Sequence, residues 1–146
     1  MATLFDPVQI GDLQLKNRIV MASLTRTRNF NERSPGPINV KHYVQRASAG
    51  LIITEATSVT PQGVGYPDTP GLWSDAQIAG WRSVTSAVHD AGGLIVPQLP
   101  APRRRDQAGQ AEDDVRDGEI VEFLSASGLI GTFPGLFKNS SCYIFV

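Results

Sequence analysis

Three short segments of this 146-residue chain carry side chains suited to holding a flat polar ring. They are Ala22 to Arg26, Glu55 to Thr57 and Gln98 to Pro100. The Thr25 hydroxyl can donate or accept a hydrogen bond, and the Gln98 amide sets a donor beside an acceptor, which suits an imide or amide edge. Ala22 and Ala56 are small enough to let the backbone approach a planar ligand. Each segment closes an apolar run, and in parallel α/β proteins ligands sit at the carboxyl ends of the strands. A plainer reading has Thr25 capping a loop and Gln98 satisfying backbone groups at a strand end. The residues alone leave both open.

Other chemistries find less support. The chain has no GxGxxG and no phosphate-loop lysine, which argues against a dinucleotide-wrapping or nucleotide-hydrolysing site. His42 and His89 fall inside expected helices, far from the strand ends, where packing or surface roles suit them better than general-base work. No His, Cys and Asp cluster has metal-ligand spacing, so no metal is expected. Cys142 has no evident histidine partner to activate it. The run Arg103-Arg104-Arg105 is short, is followed by Glu112-Asp113-Asp114 and lacks interleaved aromatics, so it reads as solvated surface. With 41% hydrophobic residues, 18% charged and a formal net charge of -1, the composition is that of a globular chain. It offers no global attraction to nucleic acid or an anionic membrane. One cysteine cannot close an internal disulfide. The start, MATLFDPVQIGD, lacks a basic stretch followed by a long apolar run, and nothing reaches the length of a membrane span. A cytoplasmic location is the expectation.

The elements that must position these residues can be read from hydrophobic pattern and turn chemistry. Val8-Gln9-Ile10 and Leu13-Gln14-Leu15 alternate around Gly11-Asp12, a tight hairpin in which glycine supplies the positive φ. The segment 17–22 (NRIVMA) predicts a strand buried on both faces. Residues 23–37 form a loop. The stripe Tyr43, Val44, Ala47 predicts a helix over 38–48, stopped by Gly50. The run 51–55 (LIITE) predicts a second buried strand. Residues 56–71 are too rich in glycine and proline for a regular element, with Tyr66 and Trp73 framing the loop. Ser74 and Gln77 have the form of a capping box. The helix that follows runs to about Asp90, with Ile78, Trp81, Val84 or Thr85, and Val88 as its apolar face and Gly92-Gly93 at its end. A third strand spans 94–99. Hairpin, β, α, β, α, β implies parallel neighbouring strands with right-handed crossovers, in a barrel or an open doubly wound sheet. Pro100 and Pro102 then oppose both helix and ladder. After them Ile120 to Leu124 fits part of a helix or a strand, and no element is assigned over Gly128 to Val146.

Two stretches resemble a known family: LFDPVQIGDLQLKNRIVMASLTRTR, and YVQRASAGLIITEATSVTPQGVGYPDTPGLWSDAQIAGWRSVTSAVHDAGGLIVPQL. Their motifs occur in the order and spacing of the Old Yellow Enzyme family, FMN-dependent ene-reductases also called NADH:flavin oxidoreductases. The likeness covers about Leu4 to Leu99. It implies the N-terminal portion of a (β/α)8 TIM barrel with an N-terminal β-hairpin. It also implies FMN held at the carboxyl end of the strands, with NAD(P)H as reductant. The substrate would be a small enone-type molecule whose activated C=C bond is reduced. Carried onto this chain, Thr25 contacts the flavin near its O4/N5 edge. Ala22, Ser23 and Leu24 supply backbone and packing beside the ring. Ala56 gives a backbone contact, Gln98 binds the pyrimidine edge, and Tyr66 belongs to a loop at the substrate entrance.

The chain departs from the pattern at Ser23, where the family usually has proline. It departs again after Leu99, where Pro100-Ala101-Pro102-Arg103 replaces an expected tryptophan, histidine and glycine-arginine turn. No later stretch resembles the family's carbonyl-binding histidine/asparagine pair, its catalytic tyrosine or its FMN-phosphate segments. No catalytic residue is therefore assigned. Residues 1–99 are expected to be a partial barrel truncated after strand three, and 100–146 a divergent tail. Activity is expected to be impaired. The alternatives are a noncatalytic remnant and a small α/β binding domain. Oligomeric state is not legible.

Overall fold

A computed structural model describes residues 1–29, 31–100 and 142–144. Val8–Ile10 (β1) and Leu13–Leu15 (β2) form the expected hairpin, with Val8 opposite Leu15 and Ile10 opposite Leu13. Gly11 takes φ +57° at the turn, a conformation glycine adopts without the Cβ penalty. Alternation turns Leu13 and Leu15 inward and leaves Gln14 exposed.

Val20–Met21 (β3), Leu51–Ala56 (β4) and Ile95–Pro100 (β5) are parallel neighbours, joined through helices Pro37–Val44 (α1) and Asp75–Asp90 (α2). This is the expected β-α-β-α-β order. A fourth strand, Cys142–Ile144 (β6), runs antiparallel to β5, with Pro100 opposite Cys142. Both observations correct the sequence reading, which had Pro100 opposing a ladder and placed no element near Cys142. A proline is tolerated here because it is the last residue of its strand and still offers a carbonyl.

The first parallel strand also differs from expectation. It is two residues long, and Ile19 and Val20 are about 40% exposed (39% and 43%), not buried on both faces. Only one neighbour in the described structure, β4, pairs with it. The helix expected over 38–48 ends at Val44, and turns carry the chain to Gly50. Gly50 has a different task from the helix stop assigned to it. A Cβ there would collide with the Asn17 carbonyl, so its absence lets the approach to β4 pass close under the hairpin exit.

Helix α2 matches its signals. The Ser74 hydroxyl accepts the Gln77 N–H at 3.4 Å, and Gln77 Oε1 accepts the Ser74 N–H at 3.2 Å. Trp81, Val84 and Val88 are buried, which settles the choice between Val84 and Thr85 in favour of valine. The helix closes at Gly92 (φ +71°), whose N–H donates to the His89 carbonyl at 2.8 Å.

The sheet separates two apolar clusters. On the helix side lie Tyr43, Ala47, Ile52, Trp81, Val84 and Val88, with Ile95 and Leu99. On the other side Leu13 and Leu15 of the hairpin pack on Leu51 and Val96, with Ile53 and Leu94 against them. Successive residues of a strand point to opposite faces, so Leu51 and Ile52, or Ile95 and Val96, divide between the clusters.

Candidate functional site

The pairing of β4 with β5 passes from Ile53 opposite Val96 to Ala56 opposite Gln98, so β4 advances three residues while β5 advances two. One extra residue in β4 is a bulge, a device that re-aims side chains next to a site. Ile53 faces the hairpin cluster. Thr54 lines a small apolar cavity with Leu72, Trp81 and Ile95 on the helix side. Glu55 also turns to the helix side, towards α1, and Ala56 returns to the face shared by Val96 and Gln98. Hydroxyls satisfy the backbone around the irregularity. Thr54 Oγ1 accepts the Gln98 N–H at 3.1 Å, and the Thr54 and Thr57 hydroxyls each donate to the Glu55 carbonyl at 2.9 Å.

At the same strand ends the Ser23 hydroxyl donates to Gln98 Oε1, and the Gln98 carbonyl accepts the Thr57 N–H at 2.9 Å. The first bond fixes the direction of the Gln98 amide. Ser23, Ala56 and Gln98 are half-buried and come together across three neighbouring strands. Ala22, Leu24 and Thr25 are exposed, so they form a surface strip beside that contact. Tyr66 is exposed on the loop after β4, and its carbonyl accepts from Arg33 Nη1 at 3.1 Å. That bond ties Tyr66 to the loop following β3. Among the described residues no cluster of His, Cys, Asp and Glu gathers for a metal ion. None of their helices is long and apolar enough to cross a membrane.

A buried polar cluster lies directly behind the strip. Glu55 is 1% exposed. Its Oε2 accepts the Arg26 N–H at 3.0 Å, and its Oε1 lies 3.5 Å from Asn39 Nδ2. Asn39 Nδ2 also donates to Asn29 Oδ1 at 3.1 Å. The Glu55 N–H donates to the Tyr43 hydroxyl at 3.0 Å. Asn29 then reaches the second loop, donating from both its N–H and Nδ2 to the Asp68 carbonyl at 3.0 and 3.1 Å. Burial pushes the Glu55 carboxyl above its usual range, against the pull of the Arg26 N–H and guanidinium. Burial likewise raises the Tyr43 phenol.

Sequence reasoning missed this cluster. Glu55 entered only as the first residue of the segment Glu55 to Thr57, with no role of its own, and Asn29 and Asn39 were not singled out. The available signal was a carboxylate closing the strand run Leu51-Ile52-Ile53-Thr54, a residue type seldom buried without partners. His42 lies in helix α1, as expected. Burial first, then the charges of Arg26, Arg46 and Arg28, lower its pKa to about 4.

Parallel strands joined through helices, with a hairpin packed against them, are the opening portion of an α/β barrel. The model of the NADH:flavin oxidoreductase / NADH oxidase family matches residues 3–128, past Leu99 where the quoted motifs stop. The NADP-dependent oxidoreductase lnbE of Aspergillus flavus is 46% identical over 131 residues, 88% of this chain and 33% of the relative. The structure of the old yellow enzyme homologue of Zymomonas mobilis superposes with a TM-score of 0.64 at 54% identity, covering 67% of this chain and 28% of that one. Morphinone reductase in complex with tetrahydroNAD gives 0.65 at 52% identity, over 68% and 27%. The chain belongs to the NADH:flavin oxidoreductase / NADH oxidase family. Its fold is the N-terminal portion of a (β/α)8 barrel. It spans about a quarter to a third of the length of the curated relatives it matches.

Proposed function

We propose that this chain cradles the isoalloxazine ring of FMN and belongs to NAD(P)H-dependent reduction of activated C=C bonds in small enone-type molecules. The observation that carries the reading is the meeting of Ser23, Ala56 and Gln98 across three parallel strands. In this reading Gln98 takes the pyrimidine edge of the ring, and its amide is held in one orientation by the Ser23 hydroxyl. Ala22 and Ala56 leave room for the ring to lie against backbone, and Leu24 packs beside it. Thr25 offers its hydroxyl to the edge where charge develops on reduction, as fixed donors stabilise such charge without reorganising. Tyr66 stands at the substrate entrance. FMN, when bound, supplies the hydride chemistry; the protein groups bind and orient it.

The donor set fits a flavin ring: one amide, one hydroxyl and small side chains at strand ends. A Leishmania infantum relative, 40% identical over 110 residues, is a probable flavin mononucleotide-dependent alkene reductase, which supports the same cofactor and bond type. The partial-barrel division at residue 99 and a cytoplasmic location complete the proposal. The test is a titration with FMN followed by flavin fluorescence. Saturable quenching that a desalting column reverses, with weak or no NADPH oxidation in the presence of an enone, is expected. Flavin fluorescence that stays unquenched at every protein concentration contradicts the reading.

A further inference from the structure

We infer that Glu55 is a positioning residue: from beneath the strand ends it holds the turn that presents Thr25. The inference rests on the flavin reading for its functional half and on geometry alone for its structural half. Thr25 has the Arg26 N–H as its next backbone group, and that N–H ends on Glu55 Oε2 at 3.0 Å. The following residue, Thr27, sits at φ +51°, a left-handed conformation that a β-branched side chain adopts only when its surroundings impose it. The Thr27 N–H also favours the ionised carboxylate. The turn is therefore held by the Arg26 backbone donor aimed at a buried carboxyl, which offers two acceptor oxygens where a neutral amide offers one.

The anchor is itself fixed. The extra residue in β4 turns Glu55 towards α1, where Asn39 Nδ2 lies 3.5 Å from Oε1 and Tyr43 accepts its N–H. Asn39 also holds Asn29, two residues beyond Thr27, at 3.1 Å. The segment between Thr25 and Asn29 is thus pinned at both ends by α1 and β4, although Thr25, Thr27 and Arg28 are exposed to solvent. Glu55 precedes Ala56 in the chain, but its carboxyl oxygens meet the Arg26 N–H and Asn39 Nδ2, neither of which is assigned to the ring. It acts through the Arg26 amide on where the Thr25 hydroxyl stands.

The replacement Glu55→Gln separates the two contacts. A glutamine has one acceptor and one amino group where the carboxylate has two acceptors, so either the Arg26 N–H or Asn39 Nδ2 loses its acceptor at residue 55. Hydrogen exchange of peptides covering 22–29 and 75–90 is measured in the full chain, together with the FMN dissociation constant and the absorption spectrum of bound flavin. Glu55→Gln is expected to speed exchange over 22–29 at least tenfold, leave α2 as in the wild type, weaken FMN about fivefold and move the flavin spectrum towards that of free FMN. Thr25→Ala is expected to change the spectrum with exchange over 22–29 unchanged.

Wild-type exchange over 22–29 in Glu55→Gln overturns the inference. So does an opened segment with unaltered FMN affinity and spectrum. Should Glu55→Gln open α2 as well, Asn39→Ala decides: opening confined to 22–29 supports positioning, and opening of both overturns it. A wild-type chain that binds no FMN defeats the flavin reading, and the positioning role towards flavin falls with it. The exchange arm then still reports whether Glu55 holds the turn.

Discussion

The two ends of the parallel strands are built from different chemistry. At the amino ends Leu13, Leu15, Leu51 and Val96 close an apolar base, and Gly50 admits the Asn17 backbone. At the carboxyl ends the side chains are hydroxyls, amides, small residues and one buried carboxylate. Burial of apolar area stabilises the first end in proportion to area and without direction. The second end gains little net stability from its hydrogen bonds, yet each of them fixes a direction. A fold can thus keep its stability at one rim and its recognition at the other, and substitutions should divide accordingly.

The largest effect is expected at the base. Leu15 is 1% exposed, and Leu15→Ala should cost about 2–5 kcal/mol in urea denaturation, the range for deleting a buried leucine. FMN affinity of the fraction that remains folded should hold. A weakened affinity in that fraction would blur the division of labour. Gly50→Ala should cost about 1–3 kcal/mol by the same measurement, because the added Cβ meets the Asn17 backbone carbonyl and not a flexible side-chain tip.

At the opposite rim the order reverses. Gln98→Ala should weaken FMN by roughly tenfold, about 1.4 kcal/mol, and move the urea midpoint little, since Gln98 is half-buried at a strand end. A large stability loss with intact flavin affinity would mean that Gln98 serves the sheet and not the ring.

The smallest effect concerns pH. His42 has a folded pKa of about 4 against 6.5 for the ordinary group. The unfolded chain therefore binds this proton more readily. The contribution of neutral His42 to stability is whole above pH 6.5 and is lost as pH falls towards 4. Glu55 titrates with the opposite sign: its raised folded pKa favours the folded state as the carboxyl takes up a proton. His42→Asn isolates the histidine. Its stability should vary less steeply than the wild type's between pH 6.5 and 4, and parallel profiles would contradict the assignment.

The sequence showed the base well and the rim incompletely. Alternation in Val8–Ile10 and Leu13–Leu15, the Ser74 and Gln77 cap, and the stripe Trp81, Val84, Val88 are local signals, and the structure follows them. The rim depends on registers between strands, which no local pattern encodes. The bulge between Ile53 and Ala56 decides that Glu55 meets α1 while Ala56 meets Gln98. Without it, strict alternation would put Glu55 on the face of Leu51 and Ile53. The apolar run at 19–22 misled for a related reason. Apolar residues predict burial, but β3 has pairing on one side in the described structure and leaves Ile19 and Val20 substantially exposed. The contact between Ser23 and Gln98 spans 75 residues, and the side chains alone announced only that each could form a hydrogen bond.

The central claim is that the carboxyl ends of β3, β4 and β5 receive FMN. Hydrogen exchange with and without saturating FMN tests it most directly. Slower exchange confined to 22–26, 56–58 and 98–100, with the hairpin at 8–15 unchanged, is the predicted result. Protection at the hairpin, or no protection at any of the three strand ends, would contradict it.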